Sequence, residues 1–128
     1  MPKKAITTPK GKPMGAYSLA IETGDLVFLS GQTGLDAATG KLADGDVAAQ
    51  ARQSLENLKA ILDAAGLTFA HVVKTNIFLT DIADFAAVNG AYQSVMPEPL
   101  PARSTVAVAG LPGGAKVEIE MIASRSAV

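Results

Sequence analysis

Arg103, in the run Pro101-Ala102-Arg103-Ser104, is the strongest candidate for a functional group in this sequence. Its guanidinium offers a planar fork of donors that meets a carboxylate in bidentate fashion. The proline two positions upstream limits the freedom of the backbone that carries it into a strand. Downstream, Glu118 and Glu120 alternate with Val117, Ile119 and Met121. That period of two puts both carboxylates on one face of a strand and the apolar side chains on the other. Tyr17, Asn89 and the strand-end pair Ser30-Gly31 complete the polar candidates. Together they could bind a small carboxylate through Arg103 and aim a water molecule with a glutamate. Each also has a purely structural reading. Strand glutamates solvate a face, a tyrosine half-buries its ring, and an asparagine bonds local backbone.

Other chemistries lack their groups. There is no cysteine, so disulfides, thiol catalysis and thiolate-bound metal are excluded. His71 is the only histidine, and no G-x-S-x-G motif supports a serine triad built on it. Carboxylates alone remain for a metal, and no acidic cluster has ligand spacing, so no metal is expected. Neither G-x-x-x-x-G-K-[ST] nor G-x-G-x-x-G after a strand is present to cradle a nucleotide. A net charge of −1 and a pI near 5.7 give no electrostatic case for nucleic acid. The one basic cluster, Lys3, Lys4, Lys10 and Lys12, lies in the N-terminal segment. No apolar run approaches the roughly 20 residues of a membrane span, and no secretion signal is recognisable. The expectation is a cytoplasmic protein.

The elements that must position these groups follow from periodicity. Residues 1–15 hold three of the seven prolines and are expected to form an extended arm. Ser18–Glu22 and Leu26–Ser30 predict a hairpin about Thr23-Gly24-Asp25. The second of these strands is apolar at four consecutive positions, which predicts burial of both faces. Asp46 caps a helix with apolar residues at Val47, Ala51, Leu55, Leu58, Ile61, Leu62 and Ala65, and Gly66 closes it. Val72–Leu79 predicts a strand whose apolar face is Val73, Thr75, Ile77 and Leu79. A second helix presents Phe85, Val88, Tyr92 and Val95, capped by Asp81 or Asp84, and ends at the prolines of Met96–Pro101. Thr105–Ala109 and Lys116–Ala123 are read as a tight hairpin about Pro112-Gly113. That pairing sets Glu118 opposite Val108, with Arg103 about five residues, or roughly 16 Å, further along. The two groups then meet only if the strand bends, the pairing shifts, or they come from different subunits. Two amphipathic helices cover one face of a sheet of about six strands. The high apolar content, 48% against 18% charged, suggests that the other face lies against further copies of the chain.

At these residues the chain resembles the reactive intermediate deaminase family, Rid, also called YjgF or L-PSP. The resemblance runs from Ile6 to Ala123 as one domain. It is carried by Gly15–Ser18, Phe28–Gln32, Asp46–Gln50, Asn57–Leu62, Val72–Thr75 and Phe78–Asp81. It continues through Asp84-Phe85, Val88-Asn89, Tyr92, Pro101–Ser104, Leu111-Pro112 and Val117–Glu120. In that order and spacing the matches are specific. The resemblance implies a chorismate-mutase-like α+β fold, a homotrimer with sites between subunits, and hydrolysis of 2-imino acids to 2-oxo acids and ammonia. It implies no cofactor and no metal. Carried over by position, Arg103 would clamp the substrate carboxylate with Gly31 backbone beside it. Glu118 would orient the attacking water, and Tyr17, Ser30 and Asn89 would line the pocket. Thr105 stands where many members have cysteine, so it is assigned to the substrate site with its contribution resting on backbone or side chain. Ala16, Leu19 and Thr33-Gly34 replace a common proline, a common glutamine and a common Ile-Pro, which bears on substrate range. Two other readings accompany the family: an endoribonuclease or translation inhibitor, and a non-catalytic trimer that binds carboxylate metabolites or client proteins.

Overall fold

The computed structural model describes residues 2–128. Strands β1 (Lys4–Ile6), β2 (Ala20–Thr23) and β3 (Leu26–Thr33) are followed by the short pair β4 (Leu35–Asp36) and β5 (Lys41–Leu42). Helix α1 (Val47–Ala64), strand β6 (Val72–Leu79), helix α2 (Phe85–Gln93), β7 (Ala102–Ala107) and β8 (Val117–Ser124) complete the chain. The main sheet has six strands in the order β1-β2-β3-β8-β6-β7. The arm therefore contributes an edge strand, with Ile6 buried beneath it.

The hairpin expected between residues 105–109 and 116–123 does not form. β8 lies between β3 and β6, antiparallel to both, and β7 runs parallel to β6 at the edge. The reason is the helix between β6 and β7. A parallel neighbour needs a crossover connection, and α2 provides it. The glycines behind the hairpin signal, Gly113 and Gly114, do adopt positive φ. They sit within a nine-residue passage, 108–116, that carries the chain across the end of β6. There Val108 N donates to Leu79 O and Thr80 N donates to Lys116 O.

Both helices cover one sheet face. Val27, Leu29, Ile77, Leu79, Val117, Ile119 and Met121 meet Leu55, Leu58 and Leu62 of α1 and Val88 and Tyr92 of α2 in one buried core. Asp46 caps α1, accepting from Ala49 N at 3.0 Å, and Gly66 follows the helix at φ +76°. The turn before α2 is capped by Asp81, whose carboxylate accepts from Ala83 N, while Asp84 makes no side-chain cap. On α2 only Val88, Ala91 and Tyr92 are buried; Phe85 and Val95 are exposed. Val73 is exposed as well, because a register shift between Val72 and Lys74 turns it outward and leaves Val72 in the core. In β3 only Val27 and Leu29 are buried, so one face, with Leu26 and Phe28, stays open. This open face continues across Ile122, Glu120, Glu118, Asn76 and Phe78.

Candidate functional site

The polar candidates fall into two groups on opposite faces of the sheet. On β8, Val117, Ile119 and Met121 point into the core, so Glu118 and Glu120 point away from it. On β7, Arg103 pairs with Thr75, a core-facing residue of β6, and so lies on the helix side. There its guanidinium carbon sits 5.0 Å from the Tyr92 ring centroid and 5.6 Å from that of Phe85. Glu118 opposes Phe78, which pairs with Val106, three positions from Arg103. Two ladder spacings and three residues separate their backbones by about 14 Å. One chain does not bring these two groups together.

The Arg103 group is built by α2 and the β7 edge. Tyr92 OH donates to Thr75 Oγ1 at 3.0 Å in the core, which fixes the ring beneath the guanidinium. Burial raises the Tyr92 phenol above its ordinary value, against the opposing pull of the Thr75 bond and the Arg103 charge. Stacking on two rings leaves the N–H fork of Arg103 free, and among the described residues it makes no ion pair. Asn89 lies four residues after Phe85 and three before Tyr92, so it shares their side of α2. Thr105 follows Arg103 on the same strand face, and its buried Oγ1 has no hydrogen-bond partner among the described residues. Such a hydroxyl is a donor and acceptor waiting for one.

The Glu118 group lies around a cavity of about 580 Å³. Tyr17, Gly31, Asn57 and Glu118 line it, with Lys10 and Lys12 at the arm and Leu19, Leu35 and Ile61 giving apolar wall. Gly31 lies against Glu118 rather than against Arg103 of the same chain. A Cβ added at Gly31 would fall 2.8 Å from Glu118 Cδ, so only glycine leaves that carboxylate its place. Burial pushes the Glu118 carboxyl above its ordinary value, and the Glu120 carboxylate pushes it the same way. Glu120 is itself occupied, accepting from Asn76 Nδ2 at 3.2 Å. Tyr17 OH accepts from Met14 N at 3.0 Å, which ties the arm to the cavity. Ser30 does not line it; its Oγ donates to Ser18 O and its N to Leu19 O.

His71 is spent on structure: its Nδ1 accepts from Thr68 N at 3.1 Å in a reciprocal cap. Among the described residues, no group of three or more His, Cys, Asp or Glu is placed to hold a metal ion. No helix there is long and apolar enough to cross a membrane.

Residues 7–125 match the family model described as Endoribonuclease L-PSP. The chain belongs to the L-PSP family. Among L-PSP relatives, Protein DfrA of Myxococcus xanthus is 51% identical over 126 residues, spanning 96% of each chain. A 2-iminobutanoate/2-iminopropanoate deaminase of Salmonella typhimurium is 47% identical, spanning 98% of this chain and 99% of that protein. Among solved structures, E. coli TdcF with bound serine superposes with a TM-score of 0.90 at 42% identity, covering 96% of this chain and 99% of the other. The L-PSP fold expected from the resemblance, a mixed α+β sheet of six strands with two helices on one face, is the one found. Sequence reasoning missed Tyr92 and Phe85 as the platform under Arg103. Their signals were helical spacing, which reads equally well as core, and a place among the family matches that assigned them no role.

Proposed function

We propose that this protein is a cofactor-independent hydrolase of 2-imino acids, of the class formed when enamines such as 2-aminoacrylate tautomerise. It works as a homotrimer in the cytoplasm, with sites between subunits. The observation that carries this reading is the pair of complementary half-sites on one chain. One face offers an unpaired, ring-stacked Arg103 fork; the other offers a partly buried Glu118 carboxylate in a cavity. A cleft between two copies completes the set. Arg103 of one copy holds the substrate carboxylate, with Asn89 and Thr105 beside it. Gly31, Tyr17 and Glu118 of the neighbour face the imine carbon.

The chemistry balances with water alone. Glu118 accepts a hydrogen bond from a water whose oxygen adds to the imine carbon, giving a carbinolamine. One proton of that water has moved to the nitrogen in this adduct; the second, from its hydroxyl, follows as the C–N bond breaks and ammonia leaves with the carbonyl forming. An imine next to a carboxylate is already electrophilic, so holding substrate and water in one dry cleft supplies most of the acceleration. Support comes from relatives named as deaminases of such imines, and from the serine held by the E. coli relative, also a small amino-acid carboxylate. The endoribonuclease reading draws on the family's description. The low pI and the engagement of the only histidine count against it.

The test is to generate 2-aminoacrylate or 2-iminobutanoate in situ with a dehydratase or an amino acid oxidase and follow its disappearance. Acceleration by catalytic amounts of this protein is expected. Binding of 2-oxobutanoate with no acceleration would favour the non-catalytic reading. RNA cleavage without imine loss would favour the nuclease.

A further inference from the structure

On the inner side of α1, Gln50 and Ser54 have no part in the site as described so far, and Asn57, which lines the cavity, continues their row. Gln50, Ser54 and Asn57 follow one another at steps of four and three, so they share one side of the helix. Gln50 is 6% exposed and Ser54 0%. Polar atoms buried to that degree need partners inside the protein. Gln50 Oε1 accepts from Lys116 N at 2.9 Å. Ser54 Oγ donates to Gln32 O at 2.6 Å. Asn57 Nδ2 donates to Thr33 O at 3.2 Å and to Leu35 O at 2.8 Å, while Oδ1 accepts from Gln53 Nε2. Asn57 lines the cavity, yet both its N–H donors are already engaged.

All the backbone partners lie in two short segments, the ones that carry Gly31 and Glu118. Ser54 grips the residue after Gly31, and Gln50 grips the residue two before Glu118. The β3–β8 ladder pairs Gln32 with Ile119 and Thr33 with Glu118, but its register shifts between Leu29 and Gln32 and leaves Ser30 and Gly31 outside it. Gly34 rests on the same helix, where an added Cβ would lie 2.6 Å from Gln50 O.

We propose that Ser54 is a positioning residue that acts through Gln32 O to seat the Gly31 backbone against the Glu118 carboxylate. Gln50 and Asn57 hold the flanking points. The inference rests on the reading of Glu118 as the water-orienting group. Glu118 has no hydrogen bond or ion pair of its own among the described residues. Its surroundings are Glu120 on its own strand, Thr33 and Phe78 across the ladders, and Tyr17, Lys10 and Lys12 around the cavity. The Gly31 backbone packs closely against this carboxylate and so shields part of it from the water of the cavity.

The experiment is Ser54→Ala in the full-length protein, with two readouts. A ¹³C NMR titration of the Glu118 side-chain carboxyl needs no substrate. Its midpoint should move down toward the ordinary carboxylate range as the bulge loosens and water enters. Imine turnover should fall about tenfold or more, as a misplacement near 1 Å demands, with the acid limb of kcat moving to lower pH. KM and 2-oxobutanoate affinity, which depend on Arg103, should stay within a few-fold. A role confined to stability would lower Tm and leave the titration of the folded protein unchanged. If Ser54→Ala does not fold, Asn57→Leu, close in shape and uncharged, takes both N–H donors away from Thr33 O and Leu35 O and should shift both readouts the same way. A folded variant with wild-type Glu118 midpoint and wild-type kcat would overturn the inference. Full turnover in Glu118→Gln would instead overturn the proposed reaction, leaving the titration to judge the positioning.

Discussion

If Arg103 holds the substrate as proposed, its replacement by alanine should remove about two charge-assisted hydrogen bonds to the substrate carboxylate, at roughly 1.5–3 kcal/mol each. At 1.36 kcal/mol per tenfold, kcat/KM should drop by about two to four orders of magnitude, with 2-oxobutanoate affinity falling in parallel. Imine hydrolysis at the wild-type rate by Arg103→Ala would refute the assignment. Glu118→Gln should separate the roles, lowering turnover while leaving product-analogue binding within a few-fold. It also carries a stability signature. The folded-state pKa of Glu118 lies above its ordinary 4.5, because burial and Glu120 disfavour the charge. Its contribution to stability is thus fully present below 4.5 and is lost as pH rises through the higher folded value. Glu118→Gln should match wild type in Tm at pH 4 and exceed it at pH 7. A Tm gain at pH 4 equal to that at pH 7 would contradict the burial argument. At this scale the sequence offered Arg103 by its donor geometry and the Glu118/Glu120 pair by strand alternation, and only the family resemblance singled out Glu118. Gln50 and Ser54 went unread, although they fall within the buried arc of Val47, Ala51, Leu55 and Leu58. A serine or glutamine on a helix is commonplace, and only the fold supplies the carbonyl or N–H opposite.

Helix α1 was legible almost to its ends, because cap, apolar stripe and terminal glycine all agree. The β7–β8 pairing was not. Turn residues such as Pro112-Gly113-Gly114 encode a local reversal, and carry no information about whether another strand has already taken the neighbouring place. The parallel β6–β7 pair follows from the crossover through α2, a non-local consequence of Tyr92 and Val88 packing on the sheet. The outward turn of Val73 was illegible for a similar reason, since one residue of register shift reverses the facing of a side chain. The seam between β3 and α1 is the element-scale feature most open to test. Gly34 faces helix backbone rather than a flexible side chain, so an alanine there has nothing that can rotate away. Gly34→Ala should cost about 1–3 kcal/mol, seen as a lowered urea midpoint with an unchanged m-value. An unchanged midpoint would mean that β3 and α1 are less tightly joined than the structure has them.

For the whole molecule, the decisive fact is that Arg103 and Glu118 of one chain face opposite ways across the sheet. The bulk composition had already suggested that the open face is covered, and Phe28, Leu26 and Val106 lie exposed upon it. Whether such a contact also completes a site is beyond composition, because that depends on which face each strand presents. A homotrimer should sediment at about three times the 13.1 kDa of the chain. A mass near that of the single chain at micromolar concentration would refute it. The same geometry supports a sharper experiment with two inactive proteins. Arg103→Ala retains a sound Glu118 face, and Glu118→Gln retains a sound Arg103 face. Within either homotrimer every cleft lacks one group. If the two are mixed in equal amounts and their subunits exchanged by mild denaturation and refolding, a cleft is intact when the Glu118→Gln chain supplies Arg103 and the Arg103→Ala chain supplies Glu118. Random assembly in a closed ring makes that about one cleft in four, so roughly a quarter of wild-type activity should return. Sites formed within single chains would give none, since no chain in the mixture carries both groups. Recovery that appears only after exchange, and scales with the product of the two mole fractions, is the expected signature of a site shared between neighbours.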